Sequence, residues 1–307
     1  MLHPPLLVIG CGNMGRAILI GAHQKGVIDP ARIVICDPDT SKRDQIAAHL
    51  QINPASIAWM GSLTSALEHL DHLEGLHGVP GHVLLAIKPQ MLRAVADQLN
   101  TAIKIYPGTT ANISAASSEH IERWSHRIII SILAGMTSSS IQGAFGGKCK
   151  VIRAMPNLPA SIGQGATAIT LPHAISPIEA EFARALFTAI GPLVIELPEE
   201  LMDAFTAVAG SGPAYLFYLA QAMIEGGIAC GLSPEQALTI VKQTLTGAAA
   251  LLDQSTQMPA QLRETVTSKG GTTAAAVAHL DSAQVMHEIR QAVQAARDRG
   301  KALAAGQ

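Results

Sequence analysis

Two short stretches carry residue types that could hold a small anion. One is Thr267-Ser268-Lys269-Gly270-Gly271-Thr272-Thr273, which runs into the helix-like Ala274-Ala275-Ala276-Val277-Ala278-His279-Leu280. Paired glycines let the backbone approach a ligand, and the first-turn N–H groups of a helix point outward with no intrahelical partner. The hydroxyls of Ser268, Thr272 and Thr273 can donate to or accept from a polar ligand. The other stretch is Gly10-Cys11-Gly12-Asn13-Met14-Gly15, between an apolar run and a helical one. In such a turn Gly10 permits the tight bend, Gly12 lets the backbone reach a pyrophosphate, and Gly15 lets helix and strand pack closely. One site for a nucleotide and one for a small acid is the chemistry this pair suggests. Taken alone, the later stretch also fits a solvated turn between helices.

Other residues fall where such a nucleotide site would need them. Asp37 ends the second apolar run, the position that usually binds the adenosine ribose hydroxyls. A carboxylate there repels a 2′-phosphate and tips the reading towards NADH. Lys42 and Arg43, just downstream, would attract that phosphate and favour NADPH, and an Asp before Pro38 also simply opens a turn. Ala86-Ile87-Lys88-Pro89 ends the fourth apolar run, so Lys88 could approach the nicotinamide half, meet a substrate carboxylate or sit in solvent. Arg153-Ala154-Met155-Pro156-Asn157 ends a later run, and Asn157 could orient nicotinamide or substrate, or hold a turn. His69 and His72, three apart, lie in a segment read as surface, and His287-Glu288 lacks the second His of a zinc-protease helix. No metal is expected. Neither a GxSxG elbow nor a Walker lysine is present.

The elements that must position these groups follow from periodicity. Strands are expected at Leu6–Ile9, Arg32–Cys36, Ile57–Met60, His82–Ile87, Arg127–Leu133 and Lys150–Met155, with helices at 13–25 and 41–50. Strands alternating with helices imply a doubly wound, mostly parallel α/β sheet, a Rossmann domain over residues 1–172. Residues 173–197 are transitional, with a helix at 177–190 and a last strand at 193–197. From Pro198 onward only helices are read, near 200–229, 233–253, 259–267, 273–280 and 282–304, so that 173–307 is a mostly helical domain, to which the family resemblance given below adds substrate binding and dimerisation.

Composition narrows the partners. Hydrophobic residues are 48% of the 307, charged ones 14% and aromatics 3%, which suggests that another subunit covers much of the exterior. A net charge of −2 and the lack of a basic run argue against nucleic acid. A long uncharged run, Ala204–Met223, is interrupted by Gly210-Ser211-Gly212-Pro213 and reads as a buried helix, not a membrane span. Cys11, Cys36, Cys149 and Cys230 show no CxxC spacing, as expected for reduced thiols in the cytoplasm. Met1–Pro5 lacks the basic start of a secretory signal.

Five segments, in order, resemble pyrroline-5-carboxylate reductases: 9–15, 86–89, 153–157, Ala209-Gly210-Ser211-Gly212-Pro213-Ala214-Tyr215, and Val266 through Thr273. The resemblance implies a Rossmann domain followed by a helical domain that intertwines with a second subunit, giving homodimers that often build larger rings. It implies NADPH or NADH as hydride donor to the carbon of a cyclic imino acid, 1-pyrroline-5-carboxylate, with proline as product. It implies Thr273 as the group on the ring nitrogen and Ser268, Gly270, Gly271 and Thr272 around the carboxylate. Cofactor contacts would come from Gly10, Cys11, Gly12, Asn13, Met14, Gly15, Asp37, Ala86, Ile87, Lys88, Pro89, Ile132, Leu133, Ala134 and Asn157.

Three departures stand out: Lys269 where the family usually has Pro, Leu158 for a small hydroxyl residue, and Leu133 for Ala. The segments 69–82 and 101–126 also look longer than usual and are expected as surface additions. A β-hydroxyacid dehydrogenase would carry a catalytic lysine soon after its Ser-Gly-x-Gly segment. Here no lysine follows Gly210-Ser211-Gly212-Pro213 until Lys242. A nucleotide-binding regulator without chemistry is the reading from another class, and the retained Ser268, Gly270, Gly271 and Thr273 oppose it.

Overall fold

The structure, a computed structural model, describes residues 4–105, 127–147, 149–172 and 174–304. Eight strands form one sheet in the order β3-β2-β1-β4-β5-β6-β7-β8. They are β1 (Leu6–Ile9), β2 (Ile33–Cys36), β3 (Ala58–Met60), β4 (His82–Leu85), β5 (Ile128–Ser131), β6 (Lys150–Pro156), β7 (Ala166–Thr170) and β8 (Leu193–Glu196). All neighbours are parallel except β6 and β7, which run antiparallel.

The apolar runs of the inner strands β1, β2, β4 and β5 are buried on both faces, as strands between two helical layers must be, while the edge strands β3 and β8 are more open. In β1, Leu6 and Val8 enter one core while Leu7 and Ile9 enter the other. The first core takes in α1 (Asn13–Gln24), α2 (Ser41–Leu50) and α6 (Pro177–Thr188); the second takes in α3 (Leu63–His77), α4 (Leu92–Ile105) and α5 (Ser138–Ala144).

Two expectations change. The segment at 69–82 is no surface addition: α3 buries Leu63, Ala66, Leu67, Leu70 and Leu73 on the sheet, and His82 is a buried residue of β4. The apolar spacing of three and four had been masked by the histidines on the outer side of the helix. Strand β7, unread in the sequence, pairs with β6 through Arg153↔Thr170 to Pro156↔Thr167. Of the other long segment, 101–126, only the end of α4 falls within the described residues.

Beyond the sheet, a helical turn α7 (Met202–Phe205) runs into a π-helical turn, Thr206–Gly210. Then follow α8 (Gly212–Ala229), α9 (Pro234–Gln254), α10 (Pro259–Thr265), α11 (Thr272–Ser282) and α12 (Val285–Ala304). A capping box at Ser233 with Gln236 starts α9. Contacts divide the chain into one unit of Met1–Gly210 with Asp298–Gln307, and another of Ser211–Arg297. Helix α6 and strand β8 stay with the sheet, so the first unit runs on to Gly210.

Candidate active site

In the sheet unit, four strand ends, those of β2, β1, β4 and β5, are tied together at one edge. Gly10 N–H donates to Cys36 O at 2.9 Å, Ala86 N–H to Ile9 O at 2.9 Å and Ile132 N–H to Leu85 O at 3.1 Å. The parallel register therefore places Gly10, Asp37, Ala86 and Ile132 along the carboxyl edge, where ligands bind in open α/β sheets. Gly10 has φ +86°, and a Cβ there would lie 2.8 Å from Ala86 O, so both conformation and space require glycine. A Cβ on Gly15 would lie 2.9 Å from Gly10 O.

Gly12 differs from its neighbours. No atom lies within 4 Å of where its Cβ would be, and it caps α1 with no side-chain hydrogen bond. The first-turn N–H groups of α1 therefore face open space over a bare backbone, and a pyrophosphate fits such a cradle. Cys11 contributes backbone only. Its thiol is buried, and that burial, helped by the Asp37 carboxylate, pushes its pKa to about 12.

Asp37 is 5% exposed and its carboxylate is fully engaged. Oδ2 accepts the Cys11 N–H at 2.7 Å, and Oδ1 accepts the Asp39 N–H at 2.9 Å. The Lys42 ammonium lies 3.2 Å from Oδ1 and 3.1 Å from Oδ2. Burial works against the Lys42 charge, but Asp37 and then Asp39 outweigh it and raise the pKa. The Trp59 indole N–H holds the Asp37 carbonyl at 2.9 Å.

The helical unit holds the second turn. Gly271 N–H donates to Ser268 O at 3.0 Å, with Gly270 at φ +76°, the geometry of a type II turn. A Cβ on Gly271 would meet Ser268 Oγ at 2.5 Å, so the hydroxyl lies close over this glycine and would have to turn away from any side chain placed there. Gly271 then caps α11 with no side-chain bond, leaving the first-turn N–H groups open behind the turn. Ser268, Lys269 and Thr272 are exposed and Thr273 is half-buried, at the second position of the helix.

Comparison with known proteins gives these two units a common context. The pyrroline-5-carboxylate reductase dimerisation family matches residues 199–303, and the coenzyme F420-dependent NADP oxidoreductase family matches residues 5–106. A pyrroline-5-carboxylate reductase of Synechocystis is 34% identical over 296 residues, spanning 96% of this chain and 97% of that protein. The chain belongs to the pyrroline-5-carboxylate reductase family. A solved reductase from Coxiella burnetii is 28% identical with a TM-score of 0.77, covering 98% of this chain and 99% of that one. The fold is also that of a Plasmodium falciparum pyrroline carboxylate reductase solved with NADP bound, 23% identical with a TM-score of 0.77 over 99% of both chains.

Within this family member, the residues read from sequence take different parts. Gly10, Gly12, Asn13, Met14, Gly15, Asp37, Ala86, Ile87, Lys88 and Pro89 gather at the carboxyl edge, with Lys88 exposed. Leu133 does not present its side chain there: it is 1% exposed in the second core, so its departure from the usual Ala fills the interior. Asn157 holds a junction, its Nδ2 donating to Ala209 O at 3.1 Å and its Oδ1 accepting Ala166 N–H at 2.9 Å. Sequence reasoning missed Arg153 as a structural cation. It is 3% exposed, with Glu199 at 3.3 Å and Asp203 at 3.8 Å. Among the described residues no set of three His, Cys, Asp or Glu side chains could hold a metal, and no helix is long and apolar enough to cross a membrane.

Proposed function

We propose that this protein reduces 1-pyrroline-5-carboxylate to L-proline, the last step of proline synthesis. The observation that carries the reading is the 34% identity to a named reductase over 96% of the chain. The geometry supports the following division of the work. When bound, NADPH or NADH supplies the hydride. The glycine turn and the open N-terminus of α1 hold its pyrophosphate, and Ala86–Pro89, Ile132, the Leu133 backbone and Ala134 border it.

On the substrate side, the N–H groups behind the Ser268–Gly271 turn hold the carboxylate, with the hydroxyls of Ser268 and Thr272 beside them. The Thr273 hydroxyl hydrogen-bonds the ring nitrogen and fixes which face of the imine carbon is presented. With the imine nitrogen protonated, its N–H donates to the Thr273 hydroxyl, and one hydride at the carbon would complete a neutral secondary amine. The protein's share is positioning and electrostatic stabilisation.

The protein acts as a homodimer, assembled further into a ring, in the cytoplasm. The free thiols Cys11, Cys36, Cys149 and Cys230 fit a reducing compartment. The test is a 340 nm assay with 1-pyrroline-5-carboxylate and each cofactor in parallel. Oxidation of either cofactor is the expected result. Folded protein that binds dinucleotide and oxidises neither would instead favour the regulator reading.

A further inference from the structure

We propose that Lys42, and not Asp37, reads the 2′ position of the cofactor, and that it selects NADPH. A carboxylate offers about four lone-pair sites. In Asp37 all four are spoken for: Cys11 N–H and Lys42 on Oδ2, Asp39 N–H and Lys42 on Oδ1. A ribose diol can therefore bind this carboxylate only by evicting Lys42 or by opening a backbone bond.

Each backbone bond has a job. The Cys11 N–H lies inside the glycine turn, so losing it loosens the pyrophosphate cradle. The Asp39 N–H closes the loop that leads into α2. Asp37 is thus a tie between the first two strand ends, buried and neutralised by its partner.

The usual argument against a 2′-phosphate, repulsion by the acid after β2, fails once that acid is paired. Lys42 also has somewhere to go. Its side chain is 32% exposed on a flexible stem, and Asp39, its second acidic neighbour at 3.6 Å, is half in solvent. A phosphate dianion at the ribose 2′ position competes for one of the ammonium's three donors while the other two stay on Asp37 and keep that acid neutralised. A 2′-hydroxyl offers no such competition. Arg43, the other cation in the loop, lies against Asp44 at 3.4 Å on the exposed side of α2.

This rests on the dinucleotide use proposed above, and the test needs no imine. NADPH and NADH are titrated separately into the protein by the quenching of its tryptophan fluorescence. The same titrations are run on Lys42→Met, which keeps the apolar stem, and on Arg43→Met. In Lys42→Met the ratio of the NADPH to the NADH dissociation constant should rise tenfold or more, because a charge-assisted bond is lost and Asp37 is left uncompensated. Arg43→Met should move that ratio less than Lys42→Met. A rise smaller than tenfold in Lys42→Met overturns the assignment, as does a larger shift in Arg43→Met. Equal weakening for both cofactors, the signature of a merely structural role, also overturns it. A protein that binds both dinucleotides yet reduces no imine would sink the reductase reading alone.

Discussion

Thr273 is the residue on which most of the proposed chemistry converges. Its hydroxyl finds no partner among the described residues, and its backbone belongs to a helix start that Gly271 already specifies. Thr273→Ala should therefore lower kcat by about two orders of magnitude, comparable to losing one preorganised hydrogen-bonding group at a reacting centre. The thermal unfolding curve should stay within a degree or two of the parent. A second residue-scale expectation concerns His82. Burial pulls its pKa down from 6.5 to about 4, and its ring lies 5.2 Å from that of Phe182. Above pH 6.5 neither folded nor unfolded chain binds this proton. Between 6.5 and 4 only the unfolded chain does, so stability falls on acidification, by up to about 1.4 kcal/mol per pH unit. Urea unfolding at pH 7 and pH 5 should show that loss in the parent and a smaller one in His82→Phe.

Among the elements, α3 gives the sharpest test of a corrected expectation. If it is a core helix, Leu70→Ala should destabilise by about 2–5 kcal/mol, while Leu76→Ala on its outer face should stay within about 0.5 kcal/mol. Comparable small effects at both positions in urea titrations would return the segment to the surface. The sheet shows what a single sequence discloses. Runs such as Leu6–Ile9 and Ile33–Cys36 were legible because glycine, proline or aspartate bounds them and nothing polar interrupts them. Strand β7, Ala-Thr-Ala-Ile-Thr, was not: its threonines are buried among small residues, where neither alternation nor a large apolar run marks a strand. At the site, glycines whose constraint is local could be read. The Asp37–Cys11 bond could not, since it joins residues 26 apart through strand pairing. Nor could Asn157's second partner, Ala209, whose carbonyl comes from the π-helical turn.

At the scale of the molecule, composition foretold more than any motif. Within 211–297 only Ala237 and Val241 among the apolar side chains are buried in the single chain. On α8, Leu216, Phe217, Tyr218 and Leu219 are all 48% exposed or more. An apolar helical layer left so open matches obligate interfaces, which resemble a core cut in half. Phe217→Asp should shift the molecular mass measured by light scattering from oligomer towards monomer, and lower the melting temperature with it. An unchanged mass would remove α8 from the interface.

That uncovered helical layer also sets a kinetic order. The sheet unit closes its two cores within one chain, so its folding should be first-order and indifferent to dilution. The helical unit cannot finish burying its leucines until another chain arrives, and that encounter is second-order. Denatured protein returned to buffer should then recover its sheet at a fixed rate, with activity returning in a later phase whose half-time doubles on each twofold dilution. In a cell, the newly made chain would pass through a waiting period with its stickiest surface uncovered. The length of that wait is set by how many copies are being made nearby.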